Sequence, residues 1–330
     1  MNNKIDFIIA WVDGSDYEWQ IDKEKCTGLK SNIDTCRYRD WDLLKFWFRG
    51  VEKFAPWVNR VHFVTYGHVP SWLNIKYHKL NIIKHQEYIP QKYLPTFNSH
   101  TIELNFHRIK ELEEQFVYFN DDMFIINDVI PEDFFMHGKA RDNISFDAIK
   151  FQKNSIAFID CNNISLINDR FDKVSFIKKN WHELFATRIG YKEFIKNILL
   201  FQFPYFTGFY NSHLPSSFFK ESFNYAWKHY YNVLDTTCLS KVRERSNVNQ
   251  WLIKDLQFVN LQTKNRNKNF GKLFNIKSQN IDDLCKYIIS QSGKVVCAND
   301  NEDIDDFEEL KNKLWLAFNE ILNIKSRFEI

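Results

Sequence analysis

Carboxylates stand directly behind apolar runs at three places in this chain of 330 residues. The run 5–12 ends at Asp13-Gly14-Ser15-Asp16, the run 115–119 passes into Asn120-Asp121-Asp122, and the run 294–298 into Asn299-Asp300. Acidic oxygens gathered at the ligand edge of a sheet suit a hard divalent cation such as Mg²⁺ or Mn²⁺, which takes oxygen ligands and bridges to phosphate. Any one of these acids also reads as an ordinary turn residue, but three behind successive apolar strands favour a site. Two tight basic pairs, Arg37 with Arg39 and Arg243 with Arg245, add planar guanidinium forks that match the oxygens of a diphosphate. His213 lies in a loop with turn residues on both sides, and an imidazole is the side chain best suited to general-base work near neutrality. The other histidines considered, His62, His85 and His107, read as packed or hydrogen-bonded groups.

The elements that must position these residues follow from periodicity. Residues 5–12, 58–65 and 115–119 are short apolar or β-branched runs closed by Asp, Gly or Asn, which predicts strands. Apolar side chains at Leu43, Leu44, Trp47, Phe48 and Val51 recur at helical spacing within 40–54, and residues 101–112 predict another helix. Strand, helix, strand, helix, strand is the order of an α/β fold with a largely parallel sheet, whose ligands sit outside the carboxyl ends of the strands. Residues 17–40 read as a polar excursion and 136–262 as less regular. That second stretch carries a hairpin around 146–164 and a helical segment over 220–231. The basic run 263–269 reads as a solvated loop, and contact with an anionic polymer is its alternative. A strand at 294–298 and an amphipathic helix bearing Phe307, Leu310, Leu314, Phe318 and Ile321 close the chain.

Composition removes several classes. A formal net charge of +2 argues against a nucleic-acid binder, and 17% aromatic residues with few Gly and Pro argue against disorder. The six cysteines lie far apart without a CxxC pair, so a zinc ribbon or disulfide framework is not expected, and reduced thiols in a cytoplasmic protein are. No basic leader or apolar run of about 20 residues points to secretion or a membrane span. The nearest apolar stretch, 195–203, is short and interrupted, which leaves peripheral membrane association as the expectation. Walker, GxGxxG and GxSxG patterns are missing, so P-loop, dinucleotide and α/β-hydrolase chemistry lack support.

Several segments together resemble the Stealth family. The stretch 5–16 is similar to its first signature region. Arg37-Tyr-Arg-Asp40, Val51–Val58, Pro70-Ser-Trp-Leu-Asn74, Leu94-Pro-Thr-Phe-Asn-Ser99, Ile102-Glu103 and Tyr118-Phe-Asn-Asp-Asp122 follow the second in order. His213-Leu-Pro215 and Arg243-Glu-Arg-Ser246 match the third more loosely, with Glu244 where the family often has an apolar residue. Cys297-Ala-Asn-Asp300 and Lys325-Ser-Arg-Phe-Glu329 match the fourth. The resemblance implies transfer of a sugar-1-phosphate from a UDP-sugar to a hydroxyl of an oligo- or polysaccharide, with release of UMP, in capsule or cell-surface polysaccharide synthesis. It implies a nucleotide-sugar-transferase-like (GT-A or Rossmann-like) α/β core of residues 1–135 and 280–330. Residues 136–279 would form an elaboration carrying His213, Arg243 and Arg245. Asp121, Asp122 and Asp300 are the expected metal ligands; Asp13, Asp122, His213 and Arg245 the expected catalytic groups; and Arg39, Asn98, Asn120 and Arg243 the expected substrate contacts. A metal-dependent glycosyltransferase releasing UDP and a non-catalytic carbohydrate-binding module remain the alternatives.

Overall fold

The computed structural model describes residues 4–28, 39–152, 155–186, 189–300, 304 and 306–330. Its strands are β1 (Ile5–Ala10), β2 (Val61–Thr65), β3 (Leu80–Lys84), β4 (Gln115–Phe119), β5 (Met123–Ile125), β6 (Phe135–Met136), β7 (Lys139–Asp142), β8 (Ser216–Phe219), β9 (Thr263–Asn265), β10 (Gly271–Asn275) and β11 (Val295–Asn299). The central sheet runs β3-β2-β1-β4-β8. Its first four strands are parallel and β8 is antiparallel to β4. Both faces are buried, which is why these strands read as unbroken apolar runs. Phe7, Ile9, Phe63, Val117 and Phe119 enter one core, while Ile8, Val64, Phe116, Tyr118 and Phe218 enter the other. This is the two-residue alternation of a strand.

The helices are α1 (Tyr17–Thr27), α2 (Leu44–Phe54), α3 (His85–Tyr88), α4 (Ser99–Leu104), α5 (Ala157–Arg170), α6 (Lys173–Leu184), α7 (Tyr191–Phe201), α8 (Lys220–His229), α9 (Tyr231–Leu239), α10 (Gln250–Val259), α11 (Ile281–Ile289) and α12 (Phe307–Ile321). The first core takes α2, α11 and α12; the second takes α4, α5, α6, α8, α9 and α10. Gly50 allows α2 to lie directly on β5, since a Cβ there would stand 2.6 Å from the Ile125 carbonyl oxygen. Two smaller sheets, β10-β11-β5 and β6-β7-β9, flank the central one.

Four expectations change. The excursion begins with α1, because the Asp16 carboxylate caps it by accepting the Trp19 N–H at 2.7 Å. The helix expected over 101–112 is α4 followed by a single 3-10 turn, where the Asn105 amide donates back to the Thr101 carbonyl and ends the regular ladder. The hairpin at 146–164 is a lone bridge, Phe146 to Phe209, and α5 takes the rest because Ala157, Ile164 and Ile167 share a buried face. The basic loop starts as β9, and its Arg266 is buried rather than solvated. The Arg266 guanidinium donates to the Pro215 carbonyl and the Ser217 hydroxyl, and lies 4.2 Å from the centre of the Phe270 ring.

Candidate active site

The parallel strands deliver their carboxyl ends to one edge, and Asn120-Asp121-Asp122 leaves β4 there. Register brings two distant segments to the same point. Tyr118 pairs with Ser216 across the antiparallel β4–β8 ladder, so the loop entering β8, with His213 three residues upstream, arrives at the exit of β4. Cys297 pairs with Met123 across β11–β5, which sets its thiol beside Asp122. The Ala298 N–H donates to the Asp122 carbonyl at 2.8 Å and locks the junction.

Asp122, His213 and Cys297 consequently offer an oxygen, a nitrogen and a sulfur all within 4.8 Å of one another. His213 Nε2 lies 3.6 Å from Asp122 Oδ2, and the Cys297 thiol donates to that same oxygen at 3.3 Å. Burial first, then the charge of Asp122, pushes the Cys297 thiol well up, so it keeps its proton and acts as a donor. Asp122 Oδ1 is buried and has no hydrogen-bond partner among the described residues. A carboxylate oxygen left bare in this way wants a cation or a donor from a ligand. His213 itself sits at φ 48°, a left-handed conformation uncommon outside glycine and the kind of backbone strain that gathers at functional positions.

The other expected residues divide. Asp121 is exposed by surface area, yet the protein mass around it, then the like charge of Asp122, pushes its carboxyl up. Asp300 lies outside the group within 4.8 Å and accepts from Trp41 Nε1 at 3.0 Å and Arg39 at 3.4 Å. Asp13 also lies outside it: its Oδ1 accepts from the Ser15 N–H and hydroxyl, and its N–H donates to His68 Nε2. Asn120 opens the turn by accepting the Met123 N–H. Asn98 is fully buried and caps α4; its amide donates to Asn247 Oδ1 and the Ser240 carbonyl, so it braces the loop that carries the arginines. Arg243 donates to Ser99 Oγ at 2.9 Å, whereas the Arg245 guanidinium stands 4.8 Å over the Phe158 ring. Arg37 lies outside the described residues.

Three contributors were not expected from the sequence. Cys297 belongs to the segment matched to the fourth signature region but carries no expected role, although its place three residues before Asp300 at a strand end is the signal. Glu103 is buried under the cleft, accepts from the Tyr118 hydroxyl at 3.3 Å, and has its carboxyl pushed up to about 7 by desolvation. Trp251 stands edge-on to His213, with ring centres 6.4 Å apart; no spacing rule points to it. A cavity of about 310 Å³ is lined by Ser212 and Leu214 of the same loop and does not include Asp122.

A profile of Stealth protein CR2, conserved region 2, matches residues 37–143. The capsular polysaccharide phosphotransferase WcwK of Streptococcus pneumoniae is 38% identical over 99% of this chain and 98% of its own length. The chain belongs to the Stealth family. It is an enzyme, a phosphotransferase. The receptor polysaccharide phosphotransferase WefC of Streptococcus oralis is 36% identical over 99% of this chain and all of its own. Among solved structures, the glycosyltransferase GlyE of Streptococcus pneumoniae aligns over 98% of this Stealth chain and 63% of its own at 10% identity and a TM-score of 0.42.

Proposed function

We propose that this Stealth enzyme transfers a sugar-1-phosphate from a UDP-sugar to a hydroxyl of an acceptor saccharide, building phosphodiester-linked cell-surface polysaccharide and releasing UMP. The observation that carries the reading is the meeting of Asp122, His213 and the Cys297 thiol at the carboxyl edge of the parallel sheet. The names of the relatives, which act on capsular and receptor polysaccharide, support a saccharide acceptor.

In this reaction the acceptor oxygen attacks the phosphorus that bears the sugar, the bond from that phosphorus to the UMP oxygen breaks, and the hydroxyl proton passes to His213 Nε2. Phosphoryl transfer asks mainly for positioning and charge neutralisation. Asp122, with one buried oxygen free, would hold a divalent cation of the Mg²⁺ or Mn²⁺ type; such a cation neutralises charge on the diphosphate. The Cys297 thiol orients the Asp122 carboxylate from the opposite side. Asp121 lies next in sequence as a further oxygen donor. Arg243 and Arg39 are the guanidiniums for the diphosphate, and Asp300 holds Arg39.

The test is a nucleotide-release assay with purified protein, a panel of UDP-sugars, an acceptor oligosaccharide and Mg²⁺ or Mn²⁺, with EDTA as control. UMP together with a phosphodiester in the product is expected, and EDTA should abolish both. Release of UDP would instead assign the protein to glycosyl transfer, and no nucleotide from any donor would sink the reading.

A further inference from the structure

Beside the reacting cluster lies a second cavity of about 230 Å³, which is lined by Asp160, Phe209, Asn211, Trp251, Lys254 and Asp255 among others. At about 30 Å³ per water it holds roughly seven or eight waters, room for one pyranose ring. Helix α10 builds one wall, since Trp251, Lys254 and Asp255 fall at i, i+3 and i+4 and share a face. Helix α5 brings Asp160 opposite. The cavity reaches the surface at the exposed Lys150 and Ile156.

Its chemistry is selective. Asp255 is only 7% exposed, lines the cavity, and its carboxyl makes no hydrogen bond with any described residue, so a mostly buried acid turns its oxygens to the space. A ligand hydroxyl there would supply the hydrogen bond that the protein does not. Desolvation, and behind it the charges of Asp160 and Asp142, pushes its carboxyl up despite Lys254; Asp160 is raised by desolvation as well. Two acids disfavour an anionic ligand, and the Lys254 ammonium offsets part of their charge, so the cavity calls for no strong cation either. A neutral ring rich in hydroxyls satisfies both, with an indole face for its C–H surface and carboxyl oxygens for its hydroxyls.

Position ties this cavity to the reaction. Asn211 Oδ1 accepts from the Lys254 ammonium and from the His213 N–H, each at 3.1 Å. Trp251, which lines the cavity, is the residue whose ring stands edge-on to His213. A sugar seated here would present an outer hydroxyl toward His213.

We infer that the cavity between α5 and α10 is the acceptor subsite, binding one neutral sugar ring of the acceptor chain through Trp251, Asp255, Asp160 and Lys254. The inference rests on the proposed transfer reaction for its purpose, but not for its detection. The Trp251 indole signal, assigned by its loss in Trp251→Phe, is followed by NMR as lactose, cellobiose and N-acetyllactosamine are each titrated into the full chain without donor. At least one should shift it saturably, and Asp255→Asn or Asp160→Asn should weaken that binding by about tenfold while UDP affinity stays unchanged; circular dichroism checks both folds. In turnover assays the same variants should raise the acceptor KM far more than they lower kcat. If none of the three sugars moves the signal, or both variants bind as wild type does, the subsite is overturned. Sugar binding without any nucleotide release would overturn the transfer reading and leave the subsite standing. Transfer with an unchanged acceptor KM in both variants would do the reverse.

Discussion

At the scale of single residues, the site turns on one carboxylate with two unequal oxygens. Asp122 Oδ2 is engaged by Cys297 and faces His213, while Oδ1 is buried and bare. Replacing it with Asn keeps the shape and removes the charge. Asp122→Asn should lower turnover by about a hundredfold or more, the scale of losing electrostatic stabilisation at a transferring group. It should also weaken Mn²⁺ binding to the resting protein, read by electron paramagnetic resonance. Turnover within about threefold of wild type, under ~1 kcal/mol of barrier, would remove Asp122 from that role. His213→Ala should cost about 10²–10⁴ in turnover, the range of a lost general base, and leave UDP affinity almost unchanged. Cys297→Ser retains a donor to Asp122 and should be the mildest of the three.

At the scale of elements, an acid at the opposite end of the sheet does structural work. Asp6, fully buried at the start of β1, accepts from Asn59 Nδ2, from the N–H groups of Arg60 and Glu113, and faces His62 Nε2 at 2.9 Å. It fastens β1 to β2 and to the turn before β4. Burial alone would raise its carboxyl, but the hydrogen bonds from His62 and Asn59 prevail and hold it below the ordinary value of 3.8. The folded state therefore binds the proton less readily than the unfolded chain. The stabilisation is complete above the unfolded value and is lost as pH falls through about 4 and below. Urea titrations should show a steeper loss of stability on acidification in wild type than in Asp6→Asn, and the variant should be weaker at pH 7 by about 1.5–3 kcal/mol. Equal acid limbs in the two proteins would deny Asp6 this part.

Elements of this kind were the legible part of the chain. Strands β1, β4 and β11 and helices α2 and α12 announce themselves through apolar periodicity, and the acids at their ends through punctuation. Helix α1 was hidden because a mostly polar surface helix has almost no apolar stripe and is marked only by its Asp16 cap. The site was half legible. Asp122 and His213 belong to recognisable segments, but their meeting depends on β8 joining β4 antiparallel, a pairing that no local pattern encodes. Asn98 looked like a ligand group because an Asn in a loop gives no sign that it will be buried as a cap. Trp251 was one aromatic among many until α10 set it beside His213.

At the scale of the whole molecule, no helix among the described residues is long and apolar enough to cross a membrane. A different surface is unusual. Helices α6 and α7 pack as a pair, joined by Lys173 to the Leu200 and Phe203 carbonyls and by Asn197 to the Leu184 carbonyl. They and the segment after them expose Trp181, Tyr191, Leu199, Phe201, Phe203 and Tyr205. Lys178, Lys179 and Lys192 are exposed on the same helices. Apolar and aromatic groups mixed with lysines fit the headgroup zone of an anionic bilayer, where each lysine is worth about 1 kcal/mol. The protein should sediment with phosphatidylglycerol vesicles and not with phosphatidylcholine ones. Leu199→Asp with Phe201→Asp should release it while preserving turnover on a soluble acceptor. Failure to sediment with the anionic vesicles would refute this surface.

The three groups of the reacting cluster come from remote parts of the chain, and Asp122 and Cys297 are 175 positions apart. At the pace of the ribosome, about 5–20 residues per second, the thiol is made roughly 9–35 s after the carboxylate it will touch. During that interval β5 is present without its neighbour β11, and the three groups cannot yet meet. A chain terminated between His213 and Cys297 would carry most of the fold's mass but lack β11 and the thiol that donates to Asp122. The late strand thus acts as a timing device, and Asp122, His213 and Cys297 can meet only once β11 has been made.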